Sequence, residues 1–126
     1  MRSGRSLKFA AALTVAALHL HANAGAREQP ATDAEREQAG DTYIGCQIEK
    51  ARRLDDGLSD AMTIGRAIAA SCRTEMENLA RVLAKGEKRD RVRLLVIDRL
   101  ASHAAQDASV VVLLERKRRT DPGMRQ

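Results

Sequence analysis

The chain has 126 residues, of which 44% are hydrophobic but only 2% are aromatic, and its net charge is +5. This length accommodates one domain rather than two. With no Trp and a single Phe and Tyr, the chain lacks the ring platforms that stack single-stranded nucleic acid and the rings that line aromatic ligand pockets. Composition therefore excludes both kinds of site, and we expect no nucleic-acid partner.

The N-terminal segment has the three parts of a secretory signal peptide. Arg2, Arg5 and Lys8 form a positive region, residues 9–20 are an apolar run, and residues 22–24 form an A-x-A cleavage sequence. The apolar run is shorter than the roughly 20 residues that span a bilayer. We therefore expect residues 1–24 to be a signal peptide, with a second cleavage point after residue 26.

Removing the predicted signal peptide changes the charge balance. It takes away 3 of the 22 basic residues and none of the 17 acidic ones, so the net charge falls to +2. Bulk charge then gives little support to a nucleic-acid partner. We expect the remaining chain to be periplasmic or secreted and not an integral membrane protein, with residues 25–31 as a flexible leader.

The first predicted helix begins at Thr32. Thr32 and Glu35 have the spacing of a capping box, in which a hydroxyl and a carboxylate satisfy the first free backbone amides. Apolar residues then recur at helical spacing as far as Leu54. Gly40 and Gly45 each cost about 1 kcal/mol relative to Ala inside a helix, so we expect another backbone to come close there.

A turn and a second helix are predicted next. In residues 55–58 the aspartates can accept bonds from nearby amides and Gly57 supplies a positive φ, while Ser59 is a suitable N-cap. Gly86 ends the helix as its C′ residue. The apolar face of this helix consists of Ala61, Ile64, Ile68, Cys72, Met76, Leu79 and Leu83.

Residues 87–119 contain neither Gly nor Pro and predict one long helix or two that are nearly continuous. A wide apolar stripe runs along it from Val92 to Leu114. Three consecutive valines at 110–112 favour a strand, and Ser109 is able to cap a separate helix. A lone strand has no pairing partner, so a helix is the favoured interpretation. Residues 120–126 are expected to be a disordered tail.

These elements predict an all-α fold over residues 32–119. The predicted architecture is a three-helix bundle, built on a disulfide-linked antiparallel helical hairpin plus a long C-terminal helix. Its core has to be made of small and aliphatic residues, and an exported domain of this size often needs a covalent staple.

Cys46 and Cys72 are the two cysteines of the chain, and in an exported protein they predict a disulfide. If the first helix ends at Asp55 and the second begins at Ala61, the cysteines differ by about 3 Å in height along the hairpin, whereas an end at Leu54 and a start at Ser59 give about 7.5 Å. A reactive thiol is the alternative, but there is no C-x-x-C and neither cysteine is expected at a helix N-terminus. Motifs for zinc and for c-type haem are absent too, so no cofactor is predicted.

His103 lies on one helical row with Arg99 and Asp107. A carboxylate that orients an imidazole is part of catalytic chemistry, but a solvated i,i+4 pair explains the same row. The aspartates at 55–60 do not have the alternating spacing of an EF-hand loop, and turn formation accounts for them. We therefore predict no catalytic residue and no metal site.

Arg116, Lys117, Arg118 and Arg119 form a basic cluster directly after the Val/Leu run. Such a cluster can bind anionic lipid headgroups or lipopolysaccharide. The same four side chains also suit the negative end of a helix. An anionic membrane surface is therefore an alternative partner rather than the leading one.

Part of the chain carries a recognisable pattern, with Y-x-x-C at 43–46, L-D-D-G-x-S-D-A at 54–61 and the second cysteine at 72. It resembles small exported proteobacterial proteins of unknown function, and the resemblance covers residues 43–77. The resemblance implies a helical hairpin with paired cysteines and a capped turn. It implies no functional residues.

The leading hypothesis from the sequence is an exported, non-enzymatic protein that binds a protein partner or associates with itself. It depends on the absence of a catalytic or cofactor motif and on the broad apolar surface from Val92 to Leu114. The alternatives are an anionic-surface binder that uses the basic cluster at 116–119, and a small thiol or hydrolytic enzyme that uses Cys72 or His103.

Overall fold

The computed structural model describes residues 28–121 and Gly123. It contains four helices, which are α1 (Asp33–Leu54), α2 (Ala61–Ser71), α3 (Arg73–Leu83) and α4 (Asp90–Thr120), and no strand within the described residues. The all-α prediction is confirmed. The predicted signal peptide lies outside the described residues, as does most of the predicted tail.

Helix α1 begins where the sequence predicts. Thr32 is its N-cap, and the capping box is complete, since the Thr32 hydroxyl accepts from the Glu35 amide while the Glu35 carboxylate accepts from the Thr32 amide at 2.7 Å. The same carboxylate is 2.6 Å from the Lys85 ammonium, which lies beyond the end of α3. This ion pair joins the start of α1 to the end of α3, so the two helices run in opposite directions.

The turn between α1 and α2 differs from the prediction in its last residue. The N-cap of α2 is Asp60, whose carboxylate accepts from the Thr63 amide at 2.9 Å, and not Ser59. Ser59 has another role, since its amide and its hydroxyl both donate to Asp56 at 2.8 Å. A carboxylate beside the positive end of a helix gains dipole energy that a hydroxyl does not. Gly57 has the predicted positive φ of 74°.

The second predicted helix is interrupted, which is why there are four helices where the sequence predicts three. Cys72 has φ −101° and ψ 23°, and it separates α2 from α3. One residue earlier, the Ser71 hydroxyl donates to the Ala67 carbonyl at 2.8 Å, and this kind of back-bonding bends helices. Cys72 is consequently the N-cap of α3, so the expectation that neither cysteine lies at a helix N-terminus is wrong.

Helix α4 is continuous through the valine run, so the strand alternative for residues 109–114 is wrong. Ser109 does not cap a new helix, because its hydroxyl donates back to the Gln106 carbonyl at 2.7 Å. Val112 is fully buried. Helical hydrogen bonding within one segment outweighs the strand preference of three valines, of which Val112 is buried and Val111 packs partly against the core.

The core is built from small and aliphatic residues, as the composition requires. Ala51, Ile68, Cys72, Ala108 and Val112 are all completely buried. The packing is closest between α2 and α4. A Cβ atom added to Gly65 would lie 2.5 Å from the Ala105 carbonyl oxygen and 2.9 Å from the Ser109 nitrogen.

Close backbone approach therefore occurs at Gly65 and not at the two glycines of α1. Added Cβ atoms at Gly40 and Gly45 would meet nothing within 4 Å, so the expectation for those two residues is wrong. Gly86 ends α3 with the predicted positive φ, 80°. The backbone of Pro30, in the predicted leader, would lie 2.6 Å from a Cβ at Gly86.

The two kinds of glycine predict opposite stability effects. Gly65→Ala should lower the free energy of unfolding by about 2–3 kcal/mol, because the methyl group overlaps backbone atoms that cannot move alone. Gly45→Ala should raise it by about 1 kcal/mol through helix propensity alone. Urea unfolding of both variants measures the difference, and a Gly65→Ala protein as stable as Gly45→Ala would contradict the α2–α4 contact.

Candidate functional site

Helix α4 has two faces of different character. Its inner face packs against α1, α2 and α3 and carries buried residues with small side chains, Ala104 and Ala108. The side turned away from this packing carries large apolar residues that remain about half exposed. These are Leu95 (59%), Val110 (50%), Leu113 (54%) and Leu114 (56%).

We call this second side the outer face of α4. Helical periodicity and exposure assign ten residues to it. They are Val92, Leu95, Val96, Arg99, His103, Gln106, Asp107, Val110, Leu113 and Leu114. Val92 and Val96 are partly buried and the others are exposed. Within residues 28–121, no other element buries the eight exposed residues of this face. The predicted apolar stripe is thus divided into a buried face and an outer face that is apolar at both ends and polar in the middle.

The polar middle contains the row Arg99, His103 and Asp107. All three side chains are exposed, and they form no ion pair within the described residues. Tyr43 of α1 is buried, and this burial, followed by the charge of Asp107, raises the pKa of its phenol. The row has the geometry of a solvated charged strip.

The strongest electrostatic feature of the molecule lies at the end of α4. The Asp55 carboxylate is fully buried and accepts two bonds from the Arg116 guanidinium, at 2.6 and 3.1 Å, and another from Arg119. Arg116 also donates to the Ser59 carbonyl at 2.6 Å, and the Gly57 amide donates to Asp55 at 3.1 Å. We call this group the Asp55 cluster. It joins the α1–α2 turn to the C-terminal end of α4.

The Asp55 cluster changes the acidity of its carboxyl group. The hydrogen bond from Arg116, aided by the Gly57 amide and the charges of both arginines, lowers the pKa of Asp55 from 3.8 to about 2 against the opposing effect of burial. A buried carboxylate held by two guanidinium groups keeps its charge because each oxygen has partners. Asp55 is therefore a structural anion at neutral pH.

A second buried carboxylate with two arginine partners lies on α4 itself, directly before Arg116. Glu115 is buried and accepts from Arg52 of α1 at 2.8 Å and from Arg118 at 3.2 Å. The hydrogen bond from Arg52 is the main cause of a lowered pKa at Glu115. These pairs hold α1 and α4 side by side with their C-terminal ends together.

The structure shows what most of the predicted basic cluster contacts. Arg116 and Arg119 bind Asp55, and Arg118 binds Glu115. Lys117 is exposed and forms no ion pair with the residues that the structure describes. Three of the four cations that the sequence assigns to an anionic surface are thus engaged within the molecule.

The two cysteines form the predicted disulfide. The Cys46–Cys72 bond joins the middle of α1 to the α2–α3 junction, with the Cα atoms 6.0 Å apart. A carboxylate oxygen of Glu75 lies within 4.8 Å of both sulfurs, and the Oε2 atom of Glu75 is buried with no hydrogen-bond partner among the described residues. Metals and electrophiles react with thiolates. While the disulfide is intact, the two sulfurs therefore act neither as thiolate ligands nor as nucleophiles.

Two features of the site have no clear signal in the sequence. The Asp55 cluster pairs residues more than 60 positions apart, and an aspartate in a turn is fully explained by local bonds. Gly65 offers a weak signal, since a glycine inside a strongly periodic helix often marks close packing.

Removing the Asp55 charge should destabilise the protein. Asp55→Asn leaves Arg116 with a neutral acceptor in a partly buried position, and breaking such a pair costs about 3 kcal/mol. Asp98→Asn, on the exposed surface of α4, is the matched control and should change the free energy of unfolding by less than about 0.5 kcal/mol. Urea unfolding at pH 7 compares them, and equal stabilities would show that the cluster contributes nothing.

The lowered pKa of Asp55 also predicts a pH dependence. The stabilisation is complete above the unfolded-state pKa, near 3.8, and is lost as the pH falls through the folded-state pKa of about 2. The stability difference between the native protein and Asp55→Asn should therefore shrink between pH 4 and pH 2. Denaturation midpoints across this range measure it, and a difference independent of pH would contradict the assigned pKa.

Comparison of the chain with models of known protein families, with characterised proteins and with solved structures finds no match.

Proposed function

We propose that this is an exported, non-enzymatic protein that acts by binding a protein through the outer face of α4. The observation that carries the proposal is the exposure of Leu95, Val110, Leu113 and Leu114 on one continuous side of a helix. Isolated apolar residues are normal on a surface, but large apolar residues grouped at both ends of one exposed helix face indicate an interaction site. The opposite side of α4 is fixed to the bundle, so the outer face is held rigid.

Export is supported by two independent features. The N-terminal segment has the order of charge, apolar run and A-x-A sequence that secretion requires, and disulfides persist mainly in oxidising compartments. None of the described helices combines the length and apolar character that crossing a bilayer demands. We therefore propose a periplasmic or secreted location. For the arrangement of the helices we propose the three-helix bundle predicted from the sequence, with α2 and α3 together forming its second helix.

Binding to an anionic membrane surface is the second candidate. It is favoured by the position of Leu113 and Leu114 beside Lys117, since apolar and basic residues together suit a lipid interface. It is weakened by the engagement of Arg116 and Arg119 with Asp55. Lys117→Glu leaves the Asp55 cluster intact, so a vesicle-binding assay on this variant tests the candidate without unfolding the protein.

Photo-crosslinking from the outer face tests the leading proposal. A photoreactive amino acid at Leu113 should give a discrete covalent adduct in the compartment where the protein resides. The control position is Leu58, which is 92% exposed but lies in the α1–α2 turn, and it should give none. Adducts of equal yield from both positions, or none from Leu113, would contradict a binding role for the outer face.

A further inference from the structure

Seven of the ten outer-face residues, His103 among them, are arranged symmetrically about His103, and Leu95, Gln106 and Leu113 are the exceptions. Arg99 and Asp107 each lie four residues from His103, Val96 and Val110 each lie seven, and Val92 and Leu114 each lie eleven. These spacings correspond to about 6, 10 and 16 Å along the helix axis. Apolar residues therefore occupy matching heights on both sides, whereas a cation on one side matches an anion on the other.

We infer that the partner of the outer face is a second copy of this chain, with the two α4 helices packed antiparallel about a twofold axis near His103. This inference rests on the proposed function and names its partner. Antiparallel packing brings Arg99 to the height of Asp107 of the second copy. Because a twofold interface is isologous, the same pair forms twice. Val92 and Val96 then lie at the heights of Leu114 and Val110 of the second copy, whereas Leu113 lies at the height of Arg93.

The charges decide the direction of the helices. Parallel packing about the same centre places Arg99 against Arg99 and Asp107 against Asp107, and like charges across an interface are repulsive. Antiparallel packing replaces both repulsions with attraction. The apolar residues of the outer face begin at Val92 and end at Leu114, so the overlap covers residues 92–114. That overlap is about 33 Å long.

The same pattern of charged and apolar residues argues against the two other candidate partners, an anionic membrane surface and an unrelated protein. An anionic membrane surface is best matched by cations along the whole polar strip, but the middle of the outer face includes Asp107. An unrelated protein does not need the match of cation with anion, and of apolar with apolar residues, that antiparallel packing gives across the centre of this face. Self-complementarity of charge and of apolar residues is the property expected of a surface that meets itself.

A charge exchange tests the pairing. Arg99→Asp should weaken dimerisation roughly tenfold, because each pair becomes a repulsion. Asp107→Arg should do the same, and the double variant Arg99→Asp/Asp107→Arg should return close to the native dissociation constant. The two positions are about 12 Å apart on their own helix, so they cannot restore each other within one chain. Arg73→Asp, an exposed reversal on α3, is the control and should change nothing.

Crosslinking fixes the direction independently. A mixture of Val96→Cys and Val110→Cys proteins should form a mixed disulfide dimer on mild oxidation, whereas each variant alone should form little. A parallel pair would instead give a disulfide dimer of each variant alone and little mixed dimer. In size-exclusion chromatography with light scattering, the native protein should have twice the monomer mass at high concentration.

The outcomes separate this inference from the proposed function. A double variant as weak as the single variants, or a native protein that stays monomeric at high concentration, overturns the second copy as partner. If the Leu113 crosslinks then identify a different protein, the proposed function still stands. If Leu113 gives no crosslink, both are overturned.

Discussion

The close approach of α2 and α4 at Gly65 is the constraint on which the rest of the structure depends. Because Gly65 has no side chain, the backbone of α4 at Ala105 and Ser109 comes into direct contact with α2. Helices this close can place only small residues at the contact, which is why α4 buries Ala104 and Ala108 there. Val112 is buried on the same side, whereas Leu95, Val110, Leu113 and Leu114 lie on the outer face and remain about half exposed.

Electrostatics then fixes the rotation of α4 about its own axis. The Asp55 cluster binds Arg116 and Arg119, and Glu115 binds Arg52 on the neighbouring helix. A rotation that buried Leu113 or Leu114 would pull these side chains away from two buried carboxylates and leave the charges without partners, which is costly. The ion pairs therefore keep the outer face of α4 turned away from the bundle. The disulfide holds α1, which carries Arg52 and leads into Asp55, against the α2–α3 junction.

Much of this arrangement is predictable from sequence, because it depends on local chemistry. The Thr32 capping box, the positive φ of Gly57 and Gly86, the helix over the valine run and the Cys46–Cys72 disulfide all follow from residues close in sequence or from simple helix geometry. The interruption at Cys72 does not, since a serine that bonds back to a carbonyl is compatible with a continuous helix until neighbouring helices constrain it.

The proposed binding surface is only half predictable from sequence. Periodicity finds an apolar stripe from Val92 to Leu114, but it cannot decide which side of the helix faces the bundle. That choice depends on Gly65 and on the partners of Asp55, which are tertiary contacts. The basic residues at 116–119 show the difficulty. Their sequence predicts a charged surface cluster, and only the structure shows that three of them pair with the buried carboxylates of Asp55 and Glu115.

Distances between spin labels in the assembled protein test the central claim most directly. In an antiparallel pair, nitroxides at His103→Cys should lie within about 20 Å of each other across the two copies, whereas nitroxides at Lys117→Cys should lie about 40 Å apart. Pulsed electron paramagnetic resonance measures both separations in one preparation. A short distance at position 117, or no coupling between copies at position 103, would contradict a molecule that pairs through the outer face of α4.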